Sequence, residues 1–156
     1  MLKLNIPEFG NIAIEHLVMD FSGTISIDGQ LINGVAKRLD DIASFLEIHI
    51  LTADTHGKAR ESLKNIKAEL HLLNGGQHTV KKCDYIRKLG SAKCLTIGNG
   101  NNDAKMLDEA AIGICVCTNE GCATEALKSA DILVHSPVDA LEMILNTNRL
   151  KATLRG

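Results

Sequence analysis

Residues 16–26 read HLVMDFSGTIS, an apolar run that ends in an acid and continues into a turn of small residues. A short apolar run bounded by turn residues is typical of a buried β-strand. Asp20 comes at the end of the run, and Gly23 in the turn lets backbone amides approach a bound anion closely. A lone acid after a strand is most often a turn residue. Its chemistry therefore depends on what the rest of the chain brings beside it.

Strand-sized apolar runs alternate with amphipathic stretches along nearly the whole chain. The runs predict strands at 16–21, 47–53, 69–73, 93–98, 112–117 and 131–135. Helical periodicity predicts helices near 34–46, 56–66, 79–89, 102–110, 121–129 and 137–148. This alternation is typical of an α/β fold in which helices flank a parallel sheet. We therefore predict a three-layer Rossmann-like fold in a single domain, residues 1–156.

The segment ISIDGQLI, residues 25–32, interrupts this alternation directly after the first strand. Asp28 and Gly29 lie between two short apolar runs, a pattern that predicts a tight β-hairpin. Such a hairpin is a small flap and not a large cap. We therefore expect an open site, which fits a bulky substrate or a homo-oligomer whose neighbouring subunits cover it.

Composition and charge exclude several classes of protein. The net charge of −2 and the pI near 6.3 give no electrostatic basis for binding nucleic acid or an anionic membrane surface. The apolar runs are far shorter than the roughly 20 residues that a membrane helix needs. The N-terminal stretch lacks the apolar core of a secretory signal. We therefore expect a cytoplasmic protein.

Five cysteines are present, and Cys115, Cys117 and Cys122 lie close together in the sequence. An odd number of cysteines without an export signal favours reduced thiols. Cys115 and Cys117 would share one face of a strand and suit the core. A zinc site is the less favoured alternative, because the usual two-residue spacing and a second pair are missing.

Polar features follow several of the predicted strands and should meet at one edge of the sheet, where open α/β folds bind ligands. Thr52 ends the second strand, and its hydroxyl can donate to a phosphoryl oxygen. Lys81 and Lys82 begin a helix, and either can offset phosphate charge. The loop GNGNND, residues 98–103, combines two glycines, three asparagines and an acid before a helix, which suits a metal or anion site. Each feature alone has an ordinary structural explanation.

Taken together and in this order, the motifs resemble those of the haloacid dehalogenase superfamily, whose phosphotransferases use an aspartate nucleophile. DFSGT resembles the DKTGT motif in the phosphorylation domain of P-type ATPases, and LTADT resembles their TGD segment. IGNGNNDAKML resembles GDGxNDxxxL, and the likeness extends from about residue 16 to 136. The sequence shows neither the transmembrane helices nor the nucleotide-binding insertion of the pumps. The resemblance therefore implies a capless phosphatase that does not transport ions.

This resemblance implies a Mg²⁺-dependent phosphatase that forms an aspartyl phosphate and acts on a small phosphorylated substrate. The implied catalytic residues are Asp20, Thr52 and Lys82, with Lys82 preferred to Lys81 because the helix that follows matches the family in that register. The implied Mg²⁺ ligands are Asp20, Ser22, Asn99 and Asp103. The implied phosphate contacts are Phe21, Ser22, Gly23, Thr52, Ala53 and Lys82.

Two residues depart from the family pattern. Ser22 stands where the phosphatases have a second aspartate, and general acid–base help is worth about 10²–10⁴-fold in rate. P-type ATPases have threonine there and form a long-lived phosphoenzyme, so Ser22 predicts slow turnover. Asn99 stands where the family usually has an acid, which predicts weaker Mg²⁺ binding.

Two alternatives to this enzyme differ in how well they fit the sequence. One is a catalytically weakened domain with a metal-binding or regulatory role, in which Ser22 and Asn99 mark lost chemistry. The other, a dinucleotide-binding Rossmann protein, is disfavoured because no G-x-G-x-x-G motif follows the first strand.

Overall fold

The computed structural model describes residues 1–53 and 57–156. In chain order the strands and helices are β1 (Leu2–Ile6), β2 (Gly10–Ile14), β3 (His16–Asp20), β4 (Ser26–Ile27), β5 (Gln30–Leu31), α1 (Val35–Ile42), β6 (Glu47–Thr52), α2 (Lys58–Leu63), β7 (Glu69–Leu72), α3 (His78–Leu89), β8 (Cys94–Gly98), α4 (Ala104–Glu109), β9 (Ile112–Val116), α5 (Thr124–Ser129), β10 (Ile132–Val134), α6 (Pro137–Leu145) and α7 (Thr147–Leu154). Among the described residues, no helix combines the length and the apolarity that crossing a bilayer requires.

Six parallel strands form the central sheet in the order β10-β9-β8-β3-β6-β7. The chain builds the sheet outward from β3 on one side through β6 and β7, and then returns to the other side of β3 through β8, β9 and β10. The strand order therefore reverses beside β3. Open α/β sheets bind their ligands at such a reversal, outside the carboxyl ends of the strands.

Both faces of the sheet are buried, which is why its strands read as continuous apolar runs. Leu17 and Met19 of β3 belong to the larger core cluster, which includes residues of α1, α6 and α7. Val18 belongs to a second cluster with Ile86 of α3 and Met106 of α4. The predicted three-layer α/β fold is confirmed.

The predicted hairpin forms as β4 and β5, with Asp28 and Gly29 as its two turn residues. Their φ angles of 52° and 78° are both positive, as a type I′ turn requires. The Asp28 N–H donates to Glu120 Oε1 at 2.8 Å, and Lys58 Nζ donates to the Asp28 carbonyl at 3.3 Å. Contacts from both sides therefore hold this small flap in place.

Several predicted elements differ from the structure. The prediction of one helix over 137–148 is wrong, because the backbone leaves the helical conformation at Asn146 (φ −113°, ψ 75°) and separates α6 from α7. The antiparallel hairpin of β1 and β2 was not predicted, since its alternation is short and its strands lie outside the parallel sheet. The helix predicted over 121–129 begins only at Thr124. The predicted start of a helix at residue 56 lies outside the described residues.

Candidate active site

A cavity of about 660 Å³ opens at the carboxyl edge of the sheet, where the ends of β3 and β6 meet the loop after β8. Side chains and backbone from three of the predicted motifs line it together with the hairpin and α2. The lining residues are Asp20, Phe21, Ser22, Gly29, Thr52, Ala53, Lys58, Asn99, Gly100, Asn101 and Asn102. The structure therefore brings together the Asp20 turn, the end of β6 and the asparagine-rich loop.

Lys82 reaches this edge from α3 and contacts two acids. Its Nζ lies 2.6 Å from Asp20 Oδ1 and 2.7 Å from Asp103 Oδ1, and only 1% of the side chain is exposed. Lys81, one residue earlier, points elsewhere and donates to the Asn74 carbonyl. Of the two lysines considered from the sequence, the structure places Lys82 beside Asp20.

Burial and mutual charge set the protonation of this group. Burial and then the nearby Asp103 carboxylate raise the pKa of Asp20 to about 7, although Lys82 opposes both effects. Burial by itself would lower the pKa of Lys82, but the two carboxylates raise it overall. The ammonium group of Lys82 stays charged and lies between the carboxyl groups of Asp20 and Asp103. The site therefore favours the binding of a further cation.

Asp103 is fully buried and uses both of its carboxylate oxygens within the protein. Oδ1 accepts from Lys82, while Oδ2 accepts the N–H groups of Asn99 at 3.0 Å and Gly100 at 2.9 Å. In this arrangement Asp103 orients Lys82 and fixes the path of the loop. Its role as a metal ligand stays a prediction, because an ionised carboxylate can accept further contacts beside these hydrogen bonds.

Thr24 joins Asp20 to the asparagine-rich loop, a contact that the sequence interpretation missed. Its Oγ1 lies 3.2 Å from Asp20 Oδ2 and 3.0 Å from Asn99 Oδ1. The Asn99 amide nitrogen donates to the Gly121 carbonyl at 3.3 Å, so the amide oxygen is turned toward Asp20. A hydroxyl two residues after a serine in a tight turn is a weak sequence signal, because small polar residues are common in turns.

The turn after β3 sets the position of Ser22 and the hydrogen bonding of Gly23. Ser22 is exposed and lines the cavity, as expected for a residue in the position of the missing acid. Gly23 has φ 76°, and its N–H donates to the Ser26 carbonyl at 3.0 Å. The predicted phosphate contact of Gly23 therefore lacks a free amide, and the glycine shapes the turn instead.

The donor atoms at this edge suit a hard divalent cation. An Asp20 oxygen and the Asn99 amide oxygen both lie within hydrogen-bonding distance of one hydroxyl, Thr24 Oγ1. Ser22, in the same turn, lines the cavity beside them. Oxygen ligands of this kind fit Mg²⁺, and the net negative charge of the Asp20, Lys82 and Asp103 group adds to the attraction.

All five cysteines are free, and their reduced state in the cell stays a prediction. Cys115 is fully buried in β9, where burial and then the nearby Cys122 raise its pKa to about 12. Among the described residues, the sets of three potential metal-binding atoms within 4.8 Å of one another consist of histidine and glutamate, not cysteine. Cys115 is therefore better described as a buried core residue than as a zinc ligand.

No protein-family model matches the chain. Over 63 residues it is 51% identical to the uncharacterized protein MJ0073 of Methanocaldococcus jannaschii, a match that covers 40% of this chain and 68% of that protein.

Solved structures with a similar fold include two sugar-acid phosphatases and an ion pump. The 3-deoxy-D-manno-octulosonate 8-phosphate phosphatase of Moraxella catarrhalis, in complex with magnesium, phosphate and the sugar acid, superposes with a TM-score of 0.67 at 23% identity over 91% of this chain and 94% of that one. The cobalt-bound phosphatase of the same name from Haemophilus influenzae gives a TM-score of 0.71 at 10% identity, over 92% and 94% of the two chains. A zinc-transporting PIB-type ATPase gives 0.63 at 26% identity, and the match covers 78% of this chain but 20% of the pump.

Proposed function

Because this chain belongs to the same family as MJ0073 and has the fold of the haloacid dehalogenase superfamily, we propose that it is a Mg²⁺-dependent phosphohydrolase whose nucleophile is Asp20. One observation carries the proposal: a buried carboxylate, held at 2.6 Å by a buried lysine, faces a cavity of about 660 Å³. An ion pair that served only the fold would not need to open onto a cavity. A paired acid in a cleft is instead a common feature of catalytic sites.

The proposed reaction has two steps, both at phosphorus. An Asp20 oxygen forms a bond to phosphorus as the bond to the leaving oxygen breaks, and that oxygen takes its proton from water. A second water then attacks the same phosphorus, releasing inorganic phosphate and restoring the Asp20 carboxylate. Lys82 offsets charge on Asp20 and the phosphoryl group throughout. Thr52, buried at the end of β6, supplies a hydroxyl to a phosphoryl oxygen in this scheme.

Mg²⁺ would be held by Asp20, the Ser22 carbonyl and Asn99. When bound, the ion would supply positive charge that offsets the charge of the phosphoryl group. The magnesium and phosphate in the Moraxella catarrhalis phosphatase support this assignment. Because Asn99 is a neutral ligand in place of the acid that the family usually has, we expect a weaker affinity for Mg²⁺ than in typical members.

Ser22 limits the reaction in this proposal. Its hydroxyl lines the cavity but cannot exchange a proton near neutral pH as a carboxylic acid can. Substrates with good leaving groups, such as acyl or aryl phosphates, should therefore react faster than alkyl monoesters. Hydrolysis of the phosphoenzyme should also be slow, so that the intermediate accumulates.

The substrate class is a small phosphorylated molecule. The cavity of about 660 Å³ has room for a small metabolite, and Lys58 at its rim adds a positive charge. The sugar-acid phosphates named for the structurally similar phosphatases belong to the same broad class.

The experiment that tests this function is hydrolysis of acetyl phosphate and para-nitrophenyl phosphate by the purified chain, with Mg²⁺ or with a chelator. Acid-quenched protein should carry one phosphoryl group on Asp20 by mass spectrometry. Asp20→Asn should abolish both signals, while Asp40→Asn, which changes an exposed acid of α1, should leave them unchanged. If the wild-type chain gives neither turnover nor phosphoenzyme, the enzyme proposal is wrong and the weakened, regulatory domain is favoured.

A further inference from the structure

The other end of the sheet carries a second cluster of chemically active side chains. β3, β6 and β7 pair in a register that sets His16 beside Glu47 and His49 beside Glu69. Side chains alternate along strands, so residues two apart emerge on one face. His16, Glu47, His49, Glu69 and His71 therefore form a continuous row, here called the histidine row, on the sheet face that packs against α3.

Three atoms of the histidine row already surround one point. His16 Nδ1 lies 3.1 Å from His49 Nε2 and 3.2 Å from Glu47 Oε2, and His49 Nε2 lies 4.0 Å from Glu47 Oε2. A tetrahedral zinc ion with bonds near 2.0–2.1 Å separates its ligand atoms by about 3.4 Å. We propose that His16, Glu47 and His49 form a binding site for Zn²⁺ or a similar transition-metal ion.

Tyr85 of α3 contacts one ring nitrogen of His49 and leaves the other available to bind a metal ion. The Tyr85 hydroxyl lies 3.0 Å from His49 Nδ1 and 2.7 Å from His71 Nε2. If His49 donates its Nδ1 proton to Tyr85 and Tyr85 donates to His71, the lone pair of His49 is on Nε2, which faces His16 and Glu47. Metal-binding histidines commonly hold a hydrogen bond through their second ring nitrogen in this way.

Tyr85 also decides between two possible ligand sets. His49, Glu69 and His71 form a second set of three potential ligand atoms within 4.8 Å of one another. In that set the metal would need His49 Nδ1 and His71 Nε2, the two nitrogens that the Tyr85 hydroxyl already bridges. The set with His16 and Glu47 uses the nitrogen of His49 that Tyr85 leaves available.

The proposed ligands combine a buried histidine, His49, with an exposed carboxylate, Glu47, through which a metal ion can enter from solvent. His49 is 3% exposed, so packing holds its imidazole ring in place beside His16 and Glu47. Glu47 is 72% exposed, so an ion can enter from solvent on its side and keep a water as fourth ligand. Two imidazoles and one carboxylate with an open fourth position suit Zn²⁺, Co²⁺ or Ni²⁺, whereas Mg²⁺ prefers an all-oxygen shell.

The proposed metal site is separate from the catalytic edge. His16 begins β3 and Asp20 ends it, and a rise of about 3.3 Å per residue puts their backbones about 13 Å apart. An ion bound here would connect β3 to β6 at the centre of the sheet. Because it binds the folded chain, it would raise the melting temperature by mass action.

The test is a titration of the chelator-treated full chain, with Co²⁺ followed by visible absorption and Zn²⁺ followed by calorimetry. We expect the intense bands of tetrahedral Co²⁺ to saturate at one such ion per chain. Glu47→Gln and His16→Gln should each weaken binding by at least about 10-fold, since each removes a ligand. Glu69→Gln, the matched acid one strand away, removes no proposed ligand and should weaken binding less than either of those changes.

Two further variants separate this site from the other places where a metal could bind. Cys117→Ser/Cys122→Ser and Asp20→Asn should both retain the Co²⁺ spectrum. Circular dichroism checks that each variant folds. Because the Glu47 side chain is exposed, Glu47→Gln should fold normally, so a loss of binding in this variant reflects the loss of a ligand. Absence of binding, or binding that survives the changes at Glu47 and His16, would overturn the proposal, as would loss of the spectrum in the cysteine or Asp20 variants.

Discussion

Replacing Lys82 by methionine removes the cation that the structure places between Asp20 and Asp103. Lys82 is 1% exposed, and its two partners are 9% and 0% exposed at their side chains. The change leaves two buried carboxylates facing each other without compensation. A large loss of stability is therefore expected, together with loss of activity.

The size of that loss follows from the burial of the group. Breaking a buried ion pair by removing one partner costs about 3–5 kcal/mol. For a chain of 156 residues, each kcal/mol lowers the melting temperature by about 2–4 °C, so the expected fall is about 6–20 °C. Lys81→Met is the matched control, since Lys81 is half-buried and donates to the Asn74 carbonyl; it should cost less than about 1 kcal/mol.

Urea unfolding followed by circular dichroism measures both variants, and a double-mutant cycle identifies the cause. Asp103→Asn in the Lys82→Met background removes one of the two facing charges, so the combined loss should be smaller than the sum of the single losses by about 0.5–3 kcal/mol. Equal stability of Lys82→Met and Lys81→Met, or strict additivity in the cycle, would show that the buried charges are not coupled as the structure indicates.

Three further predictions concern other parts of the molecule. Ser22→Asp restores a carboxylic acid in the cavity and should raise the rate of para-nitrophenyl phosphate hydrolysis by about 10-fold or more, a change that steady-state kinetics would detect. Gly113→Ala would place a methyl group against a backbone carbonyl of α4 and should cost about 1–3 kcal/mol in urea unfolding, whereas Gly76→Ala has open space around it and should be nearly neutral. Burial raises the pKa of Cys94 to about 11, which lowers its thiolate fraction about 100-fold, so iodoacetamide at pH 8 should label the half-buried Cys122 before the buried Cys94 by peptide mass spectrometry.

The parallel sheet could be predicted from sequence because both of its faces are buried. Val18 and Leu17 pack into opposite layers, so β3 reads as an unbroken apolar run with turn residues after it. The hairpin was equally visible, because Asp28 and Gly29 meet a local requirement for positive φ. Local or repeated signals of this kind do not depend on distant contacts.

The finer arrangement of the site could not be predicted, because it depends on contacts across many residues of sequence. The sequence did not show that Lys82 and two loop amides donate to the oxygens of Asp103. Thr24 gave only a weak signal, although its hydroxyl connects Asp20 to Asn99. Which partner an acid or hydroxyl finds is set by tertiary packing, and residue type alone leaves that choice open.

The histidine row could not be predicted from the sequence for a related reason. His16, His49 and His71 lie on three strands, and each alone is an ordinary strand residue. Only the pairing register brings His16 beside Glu47 and the histidines onto one face. A search for metal-ligand spacing along the chain could not find it, because the regular spacing runs across the sheet.

The buried Asp20, Lys82 and Asp103 group bears on whether Ser22 and Asn99 mark lost activity. Well-packed apolar residues are often as stabilising as a buried ion group, or more so. A domain that needed only its fold would therefore gain nothing from three buried charges, one of them open to a cavity. The charged group is intact, and in the proposed reaction Ser22 and Asn99 would affect proton transfer and metal affinity instead. On this proposal the enzyme forms its phosphoenzyme and releases it slowly, and the measured lifetime of the phosphoryl group on Asp20 decides between this view and a domain that is never phosphorylated.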